Sequence, residues 1–278
     1  MSGFAAQPHT EELEDIFTIE QAADGAFDAV IPDAEARRPF GGHLMGLAIR
    51  TAASTVGAAV SPVPHAVHAR FLRAGRAGEP VRLTVASVHD GRTIAVRQVT
   101  AVQGTRALLT AELSFYGAAQ EERWQTPRDP LSVPDRAVFS PLAGVRALAP
   151  FEIRAEHEHV RGSAARLHPF WARLREPEPG RDPVLDACAL AVLTDVGVTA
   201  SARRPGSPLR VQRAAVTLGH ALWLHGTFCA EEWHHVAVTP LVNSGGRGVA
   251  RGEVSRSDGT LVASFVQEVL LRLPGDTS

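Results

Sequence analysis

The chain has 278 residues, of which 45% are hydrophobic and 21% charged, with a formal net charge of −2, as is typical of a globular protein with a sizeable core. This near-neutral balance argues against nucleic-acid binding, and no apolar run is predicted to reach the ~20 residues of a membrane span, so we expect neither partner. Residues 11–15 are mostly acidic, unlike the basic start of a secretion signal, and we expect a cytoplasmic protein.

The first half of the chain reads as one helix followed by strands. The helix is predicted over 43–55, after Pro39-Phe40-Gly41-Gly42, from a stripe of apolar and small residues at helical spacing. Four strands are predicted at 63–73, 81–89, 94–102 and 107–116, separated by turn residues. Residues 118–150 are polar and contain five prolines, which indicates a linker over the surface.

The second half repeats this plan. Asp182 is a good N-cap before Pro183, and the helix it starts continues through apolar residues to Asp195. Strands are predicted at 214–225, 236–242, 247–256 and 260–273. Residues 68–73 (HARFLR) resemble residues 220–225 (HALWLH) at an offset of 152, between His68 and His220. The repetition predicts an α+β fold with one domain over 1–117, a linker over 118–150 and a second domain over 151–278.

The residue types narrow the possible chemistry. The chain contains no lysine, so all 28 basic residues are arginines, which excludes Schiff-base chemistry and a pyridoxal anchor. The two cysteines are too few for a disulfide framework or a metal-binding pair. Residues 156–159 (EHEH) place two histidines on one strand face without a third ligand, so we expect no metal and no cofactor.

Two polar residues in apolar surroundings are candidates for a site. Asp195 shares a helix face with Ala191 and Val192, where a carboxylate is costly unless it is paired; alternatively, the helix ends earlier and Asp195 is solvated. Gln267 is the one polar residue on the apolar face of the last strand, so it points inward; a structural glutamine that ties two backbone segments is the alternative. Thr217, three residues before His220, is by itself more typical of a structural strand residue.

Taken in order, these segments resemble the thioesterase II family of acyl-CoA thioesterases. The similarity extends from Phe40-Gly41-Gly42-His43 to Gln267-Glu268. It implies a double hotdog fold, with two antiparallel sheets each wrapped around a central helix. It also implies a catalytic aspartate, threonine and glutamine, which fall on Asp195, Thr217 and Gln267. The chain departs from the family pattern at His43, where many members carry glutamine, and at Gly219, where an aspartate is common.

The resemblance implies hydrolysis of fatty acyl-CoA to free fatty acid and coenzyme A, by a water that the three catalytic residues position. Acyl-CoA is then the partner, and we expect a homo-oligomer. Substrate contacts are expected at Gly41, Gly42 and His43, where amides at a helix N-terminus could polarise the thioester carbonyl. The alternatives are a hotdog enoyl-CoA hydratase, whose Asp-x-Asn-Pro-x-His signature is missing, and a non-catalytic acyl-CoA-binding protein, which Gly219 favours.

The sequence also predicts a single productive site per chain. Matching the apolar faces of the last strand in each half places Leu113 opposite Gln267, and the offset of 152 places His65 opposite Thr217. Neither replacement does the same work, because leucine forms no hydrogen bond and imidazole fills the space that a threonine leaves for water.

Overall fold

A computed structural model of the chain describes residues 12–31, 38–117, 123–135, 145–155, 167–176, 180–204 and 214–272. Within these ranges the chain forms twelve antiparallel strands, four α-helices and a 3-10 turn at Arg146–Leu148. The helices are α1 (Leu13–Ile16), α2 (Gly41–Ala53), α3 (Pro183–Asp195) and α4 (Val198–Ser201). The strands are β1 (Glu20–Gln21), β2 (Phe27–Val30), β3 (Pro64–Phe71), β4 (Pro80–Asp90), β5 (Ile94–Gln103), β6 (Arg106–Tyr116), β7 (Phe151–Ala155), β8 (Phe170–Leu174), β9 (Ala214–Leu224), β10 (His234–Ser244), β11 (Arg247–Arg256) and β12 (Leu261–Arg272).

The α+β prediction is confirmed, with one change in how the sheets are joined. All eight predicted strands and both long helices are present, with ends within two residues of the predicted ones. Sequence reasoning missed β1, β2, β7 and β8, because runs of two to five residues are too short to display an alternating pattern. The domain boundaries at 117/118 and 150/151 stay a prediction.

The strands form one continuous sheet in the order β1-β2-β4-β5-β6-β3-β9-β12-β11-β10-β8-β7. The two expected sheets are therefore joined edge to edge, through the pairing of β3 with β9 from Ala66↔Trp223 to Arg70↔Gly219. This pairing removes an exposed strand edge from each half. Below, the inner face is the face of the sheet that packs against α2 and α3.

The two long helices are in close antiparallel contact. Cys188 Sγ lies 3.2 Å from the carbonyl oxygen of Gly46, and a Cβ at Gly42 would lie 2.8 Å from the carbonyl oxygen of Ala191. Glycine is thus needed at position 42, and the contact brings the N-terminus of α2 to the C-terminal end of α3. Pro183–Ser201 is long and apolar enough for a membrane span, which corrects the sequence-based expectation, but 78% of its apolar window is buried, as in a core helix.

The strand registers correct the alignment of the two halves by one residue. Val67 of β3 pairs with Leu113, and His220 of β9 pairs with Gln267. Leu113 therefore corresponds to Gln267, as predicted, but the counterpart of the buried His220 is Val67 and not the exposed His68. The offset of 152 aligns similar residue types but is one residue too short. A slip of one residue turns every side chain of a strand to the other face.

The same correction applies to Thr217. Bulges follow both Pro64 in β3 and Thr217 in β9, so Pro64 is the counterpart of Thr217. The prediction that His65 lies opposite Thr217 is wrong. His65 is the exposed bulge residue, and its Nε2 lies 2.8 Å from the hydroxyl of Ser114.

Candidate active site

Asp195 is the last residue of α3, and its carboxylate faces the first turn of α2. The residue is 7% exposed, so the alternative of a solvated helix end is wrong. The backbone N–H of Gly42 donates to Oδ2 at 2.8 Å. A Cβ at Gly41 would lie 2.8 Å from the same oxygen, so the glycine pair lets the helix start approach the carboxylate closely.

Gln267 points inward from β12, as predicted, and is completely buried. Its Nε2 donates to Asp195 Oδ1 at 3.0 Å and to Thr217 Oγ1 at 2.7 Å. Its partners are therefore two side chains, and not the two backbone segments that a structural glutamine would tie together.

Thr217 reaches this group through the bulge in β9. In a regular strand, residues three apart point to opposite faces, so Thr217 and His220 would not share the inner face. Gly219 pairs with Glu268, but the next pair is Thr217↔Val269, so Leu218 is the extra residue. The bulge thus turns Thr217 inward, where its hydroxyl lies 3.4 Å from Asp195 Oδ1.

Burial sets the ionisation of Asp195. It raises the pKa of the carboxyl to about 6, while the donors Gly42, Gln267 and Thr217 act in the opposite direction. Across the described ranges no cation forms an ion pair with it. At neutral pH the group is therefore an ionised carboxylate that is more basic than an ordinary aspartate and lies beside the positive end of the α2 dipole.

The three residues predicted to contact substrate, Gly41, Gly42 and His43, have different surroundings in the structure. The amide of Gly42 is already donated to Asp195, so its expected role in polarising a thioester carbonyl needs correction. Gly41 is partly exposed and lies beside Asp195 and Phe71. The His43 ring is fully buried, with Nε2 2.8 Å from the carbonyl oxygen of Ile16, so the structure gives it a packing role; a contact with substrate stays a prediction.

His220 is a residue of this site that sequence reasoning did not select. It is 2% exposed and pairs with Gln267 in the β9–β12 ladder. The inner face of β9 continues with Leu222 and Leu224, so a polar side chain in an apolar face was again the available signal.

The first half lacks a matching site. The positions that correspond to Asp195, Thr217 and Gln267 hold Ala53, Pro64 and Leu113, none of which has a polar side chain. Gln267 of β12 pairs with Ala250 of β11, whereas Leu113 of β6 pairs with Arg97 of β5. Arg97 is 3% exposed and donates to Thr55 and Asp90, so a buried guanidinium group lies where the second half has the methyl group of Ala250.

Gly219, where the thioesterase II pattern commonly has an aspartate, does not belong to the group of predicted catalytic residues. Gly219 faces away from α3, on the outer side of β9, where a Cβ would lie 2.8 Å from Arg70 Nη1. Arg70 donates instead to Glu268 at 3.0 Å. Gly219, which favoured the alternative of a non-catalytic acyl-CoA-binding protein, therefore does not contact the Asp195 carboxylate.

The described residues include no group of three or more histidine, cysteine or acidic side chains that could hold a metal ion. Residues 156–159, with the two histidines considered from the sequence, lie outside the described ranges.

Two family models match the chain: the acyl-CoA thioesterase N-terminal domain over residues 31–116 and the acyl-CoA thioesterase C-terminal domain over residues 121–271. Human acyl-coenzyme A thioesterase 8 is 28% identical over 267 residues, which cover 87% of this chain and 83% of that protein. An acyl-CoA thioesterase II from Mycobacterium marinum has a crystal structure that superposes with a TM-score of 0.76 at 27% identity, covering 96% of this chain and 99% of that one. A protein of unknown function with a hot dog fold, from Alicyclobacillus acidocaldarius, superposes with a TM-score of 0.73 at 21% identity, covering 94% and 98%. The predicted double hotdog fold is thereby confirmed.

Proposed function

The chain belongs to the acyl-CoA thioesterase family, whose two domain models match residues 31–116 and 121–271, and we propose that Asp195, Thr217 and Gln267 form its hydrolytic centre. The protein hydrolyses acyl-CoA thioesters to a free acid and coenzyme A. The observation that supports the assignment is the buried Asp195 carboxylate, which forms no ion pair with any cation of the described ranges and is bonded by a backbone amide and the Gln267 amide.

In the proposed reaction Asp195 is a general base. A water molecule hydrogen-bonded to Asp195 and Thr217 attacks the thioester carbonyl carbon while the carboxylate takes up one of its protons. The tetrahedral intermediate then collapses, the carbon–sulfur bond breaks, and the thiolate of coenzyme A receives a proton from Asp195. A pKa of about 6 suits this exchange, because the carboxylate is ionised at neutral pH yet basic enough to accept a proton in the transition state.

The partly exposed residues beside the centre indicate the direction of access. Thr217, Gly41 and Phe71 are partly exposed, whereas Asp195 and Gln267 are buried behind them. We propose that the thioester enters along this side, with Phe71 against the pantetheine or the first acyl carbons. The fatty acyl class, a cytoplasmic location and a homo-oligomeric assembly stay predictions from the sequence.

Release of free thiol from acyl-CoAs of increasing chain length, followed with a thiol dye, tests the proposal. The parent should release thiol, and Asp195→Asn, Thr217→Val and Gln267→Leu should each lose at least ~10-fold in kcat without loss of fold. Arg97→Gln changes a buried polar residue at the counterpart position in the first half, which lacks the three polar groups, and is a matched control that should keep kcat if it folds. If all three variants kept kcat within a factor of ~3 of the parent, the centre would lie elsewhere.

A further inference from the structure

The buried amide of Gln267 is held on one side only. Its Nε2 donates both to Asp195 and to Thr217, but its Oε1 has no hydrogen-bond partner among the described residues. An amide can rotate by half a turn with little change in shape, which would exchange Nε2 and Oε1. The rotated form would place a carbonyl oxygen against the Asp195 carboxylate, so the orientation of this amide matters for the reaction.

His220 is the polar neighbour of Gln267 in the sheet. The two residues are directly paired across β9 and β12, both point to the inner face, and both are buried. Neither ring nitrogen of His220 has a hydrogen-bond partner within the part of the chain that the structure describes. Three buried polar atoms without partners thus lie on two adjacent side chains, an arrangement that calls for an explanation.

The His220 ring is held by stacking. It lies almost parallel to the Phe265 ring, with centroids 5.4 Å apart and an interplanar angle of 18°. Phe265 in turn covers Gly252, where any Cβ would overlap the ring. Burial lowers the pKa of His220 to about 4, while the nearby Gln267 side chain acts in the opposite direction. At neutral pH the ring is therefore uncharged and has one N–H to donate and one nitrogen that accepts.

We propose that His220 is a positioning residue, whose ring N–H donates to Oε1 of Gln267 and thereby keeps Nε2 directed at Asp195 and Thr217. The two side chains are adjacent in the sheet, so the bond between them can close when substrate binds, as is common for hydrogen bonds in active sites. His220 then acts on the reaction through Gln267, without touching the substrate. The inference rests on the proposed function, because it assumes that the Gln267 amide serves the hydrolytic centre.

The role predicts a signature that a packing role lacks. The Gln267 amide is one of the donors that lower the pKa of Asp195. When the amide is free to rotate, the pKa of Asp195 rises and the acidic limb of kcat/KM moves to higher pH. The loss should fall on kcat and not on KM, because the bond orients a catalytic group and does not bind the substrate.

The test compares His220→Phe, which keeps a stacked ring without its N–H, with His220→Asn and His220→Gln, whose amide nitrogens take the places of Nδ1 and Nε2. His234→Phe is the matched control, because His234 is equally buried on β10, its Nδ1 lies near the Glu232 carbonyl, and it does not pair with Gln267. We expect His220→Phe to lower kcat about tenfold and to shift the acidic limb upward, and one of the two amide variants to restore both. His234→Phe should leave the limb in place.

Two results would overturn the proposal. One is a folded His220→Phe enzyme with kcat and acidic limb close to the parent's; the other is a loss of kcat with an unmoved limb that neither amide variant relieves, which is the behaviour of a packing residue. If His220→Phe does not fold, histidine ring ¹⁵N spectra of the parent decide: a protected N–H of His220 must shift in Gln267→Leu, and an unchanged signal contradicts the bond. Normal activity of Gln267→Leu would refute the proposed centre itself, which separates the two failures.

Discussion

Replacing Asp195 by asparagine removes a charge that the fold holds at a cost. The pKa of the carboxyl is about 6 in the folded protein, against 3.8 for an unperturbed aspartate. The difference of roughly 2 between these values corresponds to about 3 kcal/mol of stability. The substitution is nearly isosteric, and the Gly42 amide keeps an oxygen acceptor.

The pH dependence follows from the direction of this shift. Because the pKa is higher in the folded state, the folded chain binds the proton more tightly, and the parent loses stability as the pH rises from about 4 through the folded-state pKa of about 6, with little further change above about pH 7. About half of this loss, roughly 1.5 kcal/mol, lies between pH 5 and pH 7.5. The asparagine of the variant does not titrate, so the free energy of unfolding of the variant minus that of the parent should increase by this amount over the interval.

Urea unfolding of both proteins at pH 5, 6 and 7.5 measures the difference directly. Buried histidines with pKa values lowered to about 4, His168, His220 and His234, titrate in both proteins and largely cancel. Thiol release at pH 7.5 should meanwhile fall at least ~100-fold in the variant. A stability difference that stays constant within ~0.5 kcal/mol from pH 5 to pH 7.5 would refute the raised pKa, and turnover close to the parent's would remove Asp195 from the mechanism.

Three further outcomes are expected. Thr217→Ser should keep kcat within ~3-fold of the parent while Thr217→Val loses at least ~10-fold, because only serine retains the hydroxyl that contacts Asp195 and Gln267; equal thiol-release rates of the two variants would exclude a role for the hydroxyl. Gly219→Asp should leave kcat within ~3-fold, because its side chain would meet Arg70 on the outer face, and a tenfold change would return position 219 to the site. Calorimetric titration with a non-hydrolysable acyl-CoA thioether should saturate near one ligand per chain, because Ala53, Pro64 and Leu113 offer no polar group; two ligands of equal affinity would contradict the asymmetry.

The parts of the site that follow from local periodicity could be predicted from the sequence. Gln267 was found because a strand of alternating residues has one polar member on its apolar face, and Asp195 because helical spacing places it among buried residues. Both patterns depend only on the residues close to Gln267 or Asp195 in the chain. The helix and strand ends were predictable for the same reason.

The parts that depend on contacts between distant segments could not be predicted. The bond between Gly42 and Asp195 joins residues 153 apart and exists because the two helices pack closely through Gly42 and Gly46. The inward direction of Thr217 depends on a single extra residue in β9, which no alternation pattern reveals. Matching the two halves by similar residue types failed because it is displaced by one position from the true correspondence, and one position changes the face of the strand.

Whether Asp195 acts through a water molecule or attacks the thioester itself is the most direct question about the mechanism. A single turnover in H₂¹⁸O, with enzyme in excess over acyl-CoA, answers it by mass spectrometry of both the released acid and the peptide that contains Asp195. The general-base mechanism predicts one ¹⁸O atom in the carboxyl group of the acid formed in the first turnover and an unlabelled Asp195. An unlabelled acid from the first turnover, with ¹⁸O in the Asp195 carboxyl group, would show an anhydride intermediate and contradict the general-base mechanism.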